Sequence, residues 1–376
     1  MNIDSNKGFY RNIFRYSGVG FIISFALIGF FLTTAFFAIK LHVTNDPGAV
    51  DFNDRYFQEI KNKYGKSNTS DTCHVNNREA AFFHNVLVLN KYYPENSVYI
   101  LNAYMKSHNL SEAERMVGAV NMYMQENKEY ISEIGEFQNK NIAEGAQRNN
   151  GSVFSWMNIS EWADFKIAVS KDKALIDSVA DLTDVEPRLI VAVLVGEQIR
   201  LFNSDREMYK KWIGPLKILS VESTFSLGVT GIKVATAETI ERNLKDPESV
   251  FYLGSKYEHL LDFQTASVED ERFKRLTSYK NHFYSYLYAA LNIKEIKMQW
   301  ERAGFPIDNR PEILATLYNI GFEVSVPKAN PVVGGATVMV HDKPYSFGAI
   351  AYEYYYSGEL FDLFPFKRSK FDWTNG

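Results

Sequence analysis

Residues 19–39 read VGFIISFALIGFFLTTAFFAI, 21 consecutive positions without a charge. As a helix rising about 1.5 Å per residue this run would be about 30 Å long, enough to cross the hydrocarbon core of a bilayer. It holds no proline, and its two glycines, Gly20 and Gly29, are residues that membrane helices use freely. Lys7, Arg11 and Arg15 precede it, opposed only by Asp4, whereas Lys40 alone follows directly. The positive-inside rule then puts the N-terminus in the cytoplasm and residues from about 42 onward outside. A cleaved secretory signal is the competing reading, but its apolar region would span about 7–15 residues and end at a small-x-small site. The expectation is an uncleaved, single-pass anchor. Residues 1–17 form a cytoplasmic arm and 18–41 cross a bacterial plasma (inner) membrane. The rest of the chain lies on the periplasmic or extracellular side.

The chain as a whole has an ordinary globular composition. Of 376 residues, 46% are hydrophobic and 23% charged, with a net charge of -4. Collagenous, broadly disordered and multi-span membrane classes are excluded on that basis. Nucleic acid is not an expected partner, because no basic excess exists to neutralise phosphates. The single cysteine, Cys73, rules out an intrachain disulfide and a Cys-based zinc site. The seven histidines show neither HExxH nor HxH spacing, so no metal and no cofactor are expected.

Apolar periodicity predicts a mainly α chain. Residues 44–78 are polar and turn-rich. From 79 to about 139 the pattern is helical, with Ser111-x-x-Glu114 as a candidate capping box for the third helix. Tyr99, Tyr104 and Ala113 hint at a helical repeat, but at most one and a half units are present and a solenoid needs about three. The polar stretch NKNIAEGAQRNNGS (139–152) is expected to be a linker. The expected division is therefore a membrane-proximal helical region with its linker (42–150) and a second, mainly helical domain (151–376) that ends in a short hairpin and a helix.

Pro187 opens the run PRLIVAVLVGEQIRLF, whose first-turn proline and continuous apolar residues predict a buried helix. Ile190, Val193 and Leu194 stand seven, four and three residues before Glu197, and Leu201 four after it. Glu197 thus shares the face that enters the core, where a carboxylate is costly unless paired or functional. Burial disfavours its charged form and would suit it to hold a proton as a general acid. The competing reading is an ion pair with Arg200 that solvates the helix face.

Two further segments bear on that choice. Ser226-Leu-Gly-Val-Thr-Gly-Ile-Lys-Val-Ala-Thr-Ala (226–237) reads as a turn leading into a helix that opens near Thr236. Ala315-Thr-Leu-Tyr-Asn-Ile-Gly (315–321) lies on a helix expected to start at Pro311 and stop at Gly321, with Tyr318 and Asn319 in its last turn.

The ordered set over roughly 155–325 resembles the lysozyme-like superfamily of lytic transglycosylases and goose-type lysozymes. Those families carry a catalytic Glu, an S-x-G-x-x-Q-I-x-x-x-T-A turn and an A-x-Y-N-x-G helix in that order. The resemblance implies a lysozyme-like catalytic domain in which Glu197 is the acid. Ser226 and Gly228 would form the substrate-cleft turn, Thr236 and Ala237 would pack the start of the next helix, and Tyr318 and Asn319 would line the cleft and orient the glutamate. Two positions depart from the family: Gly231 stands where Gln is usual, and Gln198 where Ser commonly follows the glutamate. Glu222 is a rival acid, lying just before the turn without a long apolar helix.

The activity implied is cleavage of the bond between MurNAc and GlcNAc in peptidoglycan glycan strands by a lytic transglycosylase, a glycan-cleaving lyase that leaves 1,6-anhydromuramyl ends. An inverting hydrolase would need a second carboxylate about 6.5–9.5 Å away, and Asp205 and Glu207 lie in a polar stretch that reads as loop. Two alternatives stay open. One is a hydrolytic muramidase. The other is an inactive wall-binding scaffold that recruits protein partners through residues 79–139. The many aromatics, including Tyr345, Phe347, Tyr352 and Tyr354 to Tyr356, are expected to pack the core rather than to stack on sugars. Trp212 and Trp300 are ambiguous in the same way.

Overall fold

The computed structural model describes residues 75–135, 149–202, 226–227, 229–278, 280–340 and 343–367. The expected anchor 19–39 and Cys73 lie outside them, as do Asp205, Glu207, Trp212, Glu222 and Gly228. Among the described residues no helix is long and apolar enough to cross a membrane.

The chain is mainly helical, with twelve α-helices among the described residues. The first four are α1 (Val75–Tyr92), α2 (Pro94–Ser107), α3 (Leu110–Met124) and α4 (Lys128–Gly135). They are followed by α5 (Ser160–Lys171), α6 (Lys173–Thr183) and α7 (Pro187–Phe202). A two-residue antiparallel pair, β1 (Ser226–Leu227) and β2 (Ile232–Lys233), runs directly into α8 (Val234–Lys245). Then come α9 (Val268–Thr277), α10 (Phe283–Arg302) and α11 (Pro311–Ile320). The hairpin of β3 (Thr337–Val340) and β4 (Lys343–Ser346) leads into α12 (Phe347–Ser357), matching the hairpin and helix expected at the end of the chain.

The helix ends follow from local chemistry. Pro311 opens α11, where the missing N–H would have had no intrahelical partner anyway. Gly321, with φ +102°, stops that helix in a conformation few side-chain-bearing residues tolerate. Ser346 caps α12 by accepting from Ala349 N at 3.2 Å. The start of α3 differs from the expected capping box. Its cap is Asn109, whose Oδ1 accepts from Glu112 N at 3.1 Å, while Glu114 reaches across to Arg78. Two overlapping x-x-Glu patterns compete there, and the tertiary contact to Arg78 takes Glu114 out of the cap.

Helix α12 occupies the middle of the molecule, packing on α11, α7 and α3. Arg188, fully buried at the start of α7, holds the far end of α12. Its guanidinium donates to the carbonyls of Tyr354 and Tyr355 in the last turn and of Glu359 and Phe364 beyond it, at 2.8–3.0 Å, supplying donors to two of the stranded acceptors at that helix end. Tyr345, Phe347, Tyr352 and Tyr354 to Tyr356 are all buried, as is Trp300, so these aromatics pack the core as expected.

The described residues fall in one compact unit with a continuous apolar core. The boundary expected near 150 does not separate two cores. The N-terminal helices pack on one another, and α2 and α3 also lie against α12, so their core is continuous with the rest. Tyr123 donates to Glu353 at 2.6 Å, and Arg115 to Tyr356 Oη at 3.2 Å. At the end of the expected linker, Asn149 N donates to Tyr92 O at 2.8 Å and Val153 N to Asn96 Oδ1 at 2.8 Å.

Candidate active site

Helix α7 is apolar on nearly every side, and residues 189–195 and Ile199 are all buried. Glu197 sits in its last two turns and is only 3% exposed. The residue before it is glycine for a packing reason. A Cβ at Gly196 would stand 2.7 Å from the ring of Phe347, so α12 can press on α7 here only because that position is bare.

The second component is the turn that joins β1 to β2. The strand pair aligns Ser226 with Lys233 and Leu227 with Ile232, which brings residues 229–231 against the end of α7. Gly231 has φ +66°, and a Cβ built there would lie 2.3 Å from Glu197 Oε2 and 2.4 Å from its carboxyl carbon. The backbone of the turn therefore rests directly on the carboxyl group. A side chain there would press on the carboxyl, and the left-handed φ by itself favours glycine at the position that departs from the resembled pattern.

The third component is the end of α11. Asn319 Nδ2 donates to Glu197 Oε1 at 3.5 Å, a long contact, while its Oδ1 accepts from Ala336 N at 2.7 Å. A backbone N–H can only donate, so the atom facing Ala336 must be the amide oxygen and the amino group must face the glutamate. The loop 333–336 that supplies this N–H is tied down in turn. Thr316 Oγ1 accepts from Gly334 N at 3.0 Å, and Gly335 (φ +91°) leaves room for Asn319 and Phe347.

Tyr318 is buried beside Asn319 but does not direct its proton to Glu197. Its hydroxyl donates to the carbonyl of Thr230 at 2.7 Å, which ties the turn to α11. From the other side Gln198 Nε2 donates to the carbonyl of Val229 at 2.7 Å, tying the turn to α7. Thr230 itself is buried, and its hydroxyl has no hydrogen-bond partner.

Of the residues expected at the site, Glu197 and Asn319 touch, and Tyr318 meets them through the turn. Ser226 is placed in β1. Ala237 is buried and Thr236 half-buried in the first turn of α8, which suits the packing role expected of them. Sequence reasoning missed Gln198 as a tether, Thr230, the Gly334–Ala336 loop and Phe347. The Gly334-Gly335 pair that follows Pro331 was the available signal for a backbone making a close approach.

Burial alone does not single out Glu197. Glu295, Glu312 and Glu353 are buried as deeply, each inside the packed core. Glu353 accepts from Trp156 and Tyr123, Glu312 is paired with Arg310, and Glu295 accepts from Asn243 at 3.0 Å. Burial pushes the carboxyl of Glu295 well above the usual range. Glu197 differs in meeting, among the described residues, a glycine backbone at one oxygen and a half-buried, orientationally fixed amide at the other. Among the described residues no group of three or more His, Cys, Asp or Glu is placed to hold a metal ion.

Comparison with protein-family models, curated proteins and solved structures returned no match.

Proposed function

We propose that this chain is a membrane-anchored peptidoglycan lytic transglycosylase with a lysozyme-like catalytic domain, and that Glu197 is its single acid. The observation that carries the reading is the meeting of a buried carboxyl, a glycine turn and the Asn319 amide from three separate segments, in the order the resembled families use. The Asn319 amide is uncharged and can donate to the carboxyl, which suits a group that must be neutral in one step and anionic in the next.

In this mechanism protonated Glu197 gives its proton to the glycosidic oxygen. The bond from C1 of MurNAc to that oxygen breaks, and positive charge develops on C1. The C6 hydroxyl of the same sugar attacks C1 and its proton passes to the Glu197 carboxylate, which restores the acid. One C–O bond breaks, one forms, and no water is consumed. Asn319 stabilises the carboxylate between the two proton transfers, and the long 3.5 Å contact is one that substrate binding would tighten. The residues from 42 onward would meet peptidoglycan on the outer face of a bacterial plasma membrane, held there by residues 18–41.

The test digests purified sacculi with the full chain and with Glu197→Gln, followed by mass spectrometry of the soluble products. Anhydro-muropeptides from the parent alone are the expected result. Equal release by both proteins, or release by neither, refutes the enzyme. Reducing ends in place of anhydro ends would assign a hydrolytic muramidase. Sacculus binding without release would assign an inactive scaffold.

A further inference from the structure

We infer that Gln198 is a positioning residue: its side-chain amide clamps the 229–231 turn to α7 and thereby keeps the Gly231 backbone seated on the Glu197 carboxyl. This deepens the proposed function and takes from it the role of Glu197.

The turn has three kinds of attachment. The β1–β2 pairing fixes its two ends, and two side chains fix its tip. Tyr318 holds the Thr230 carbonyl and Gln198 holds the Val229 carbonyl, each at 2.7 Å. Each tether comes from the residue next to a site residue, since Gln198 follows Glu197 on α7 and Tyr318 precedes Asn319 on α11. Neighbouring residues on a helix point about 100° apart, so each helix can aim one side chain at the site and the next at the turn. The turn is thus gripped by both helices that carry the Glu197–Asn319 contact. Any shift of α7 moves the acid and its cover together.

The amide suits this task. A carbonyl only accepts, so Gln198 must present its nitrogen to Val229, which fixes its orientation. With this donor gone, Tyr318 is the remaining side-chain tether at the tip among the described residues, and it pulls from α11 only. The Gly231 backbone, which has no side chain of its own to wedge it in place, could then lift from Glu197 Oε2.

The test uses Gln198→Met, which keeps length and bulk but lacks the donor, and Gln198→Lys, which restores one. Exposure of Glu197 is read in the full chain by carbodiimide labelling and peptide mass spectrometry, with Glu295 and Glu353 as internal standards. One net hydrogen bond corresponds to about a tenfold change in an equilibrium. Gln198→Met should therefore raise labelling at Glu197 about tenfold, leave Glu295 and Glu353 as in the parent, and lower kcat with KM unchanged. Gln198→Lys should label like the parent. Unchanged labelling at Glu197, an equal rise at all three carboxyls, or a Lys variant that labels like the Met variant would overturn the inference. Labelling needs no activity, so a parent that releases no muropeptides sinks the proposed function while this comparison still decides the clamp.

Discussion

Replacing Gly231 by alanine tests the contact on which the candidate site is built. Two costs arise, and they separate. The first is backbone strain: Gly231 has φ +66°, and an L-residue with a Cβ pays about 1–2 kcal/mol in that region. The second is steric. The new methyl would stand 2.3 Å from Glu197 Oε2, whereas unstrained contact begins near about 3.5 Å, so the carboxyl must retreat by about 1.2 Å. Overpacking of this kind adds about 1–3 kcal/mol. Gly231→Ala should therefore destabilise the chain by about 2–5 kcal/mol. Made in a Glu197→Ala background, the same change meets no carboxyl and should cost only the strain. Urea unfolding of the four proteins in this cycle gives a coupling energy, expected at about 1–3 kcal/mol. A displacement near 1 Å is also enough to lower activity about a hundredfold. Coupling below about 0.5 kcal/mol, the usual limit for independent sites, would mean that the turn does not rest on the glutamate, and the account of the site would fail with it.

Other consequences are as concrete. Asn319→Ala removes the acceptor for Ala336 N, a buried amide, and should cost about 1–3 kcal/mol. Its signature is faster hydrogen exchange at Ala336 together with a fall in glycan cleavage, and unchanged exchange there would contradict the assigned network. Glu186, at the mouth of α7, gives a pH prediction. Burial pushes its carboxyl from 4.5 up to about 7, partly offset by the Tyr355 hydroxyl and by Arg188. The folded chain then binds this proton more tightly than the unfolded chain, so Glu186 takes away stability as pH rises from about 4.5 to about 7, and the loss levels off above that. The full effect is at most about 3 kcal/mol. Urea unfolding at pH 5 and pH 8 should show a steeper decline in the parent than in Glu186→Gln, and identical slopes would remove Glu186 as the cause.

The helices that build the site are legible in the sequence where one residue type decides the outcome. Pro187 and Pro311 mark helix starts because proline lacks only an N–H that the first turn does not use. Gly321 marks an end because its φ of +102° excludes most other residues. The start of α3 is less legible, because His108-Asn109-Leu110-Ser111 offers two cap candidates with equivalent local chemistry. The choice is made by Arg78, thirty-six residues from Glu114. How the two expected regions meet is less legible for a related reason. The polar stretch 139–152 looks like a boundary, but a chain's polarity does not reveal that α2 and α3 before it and α5 after it all reach α12.

The site separates what a residue's type can tell from what only its neighbours can. Glu197 is recognisable because a carboxyl on a largely apolar helix demands a reason, yet Glu295, Glu312 and Glu353 are buried as deeply, with hydrogen-bond or ionic partners within the core. Burial is therefore a necessary mark of such an acid and not a sufficient one. Gly231 carries more information, and in the sequence it reads as a loss, the absence of an expected amide. In space the same absence is what admits the carboxyl, because a Cβ at that position would occupy the place of Oε2. A side chain there would require the carboxyl to shift from its present place. The glycine and the glutamate are thus one feature divided between two positions 34 residues apart, and each explains why the other can stand where it does.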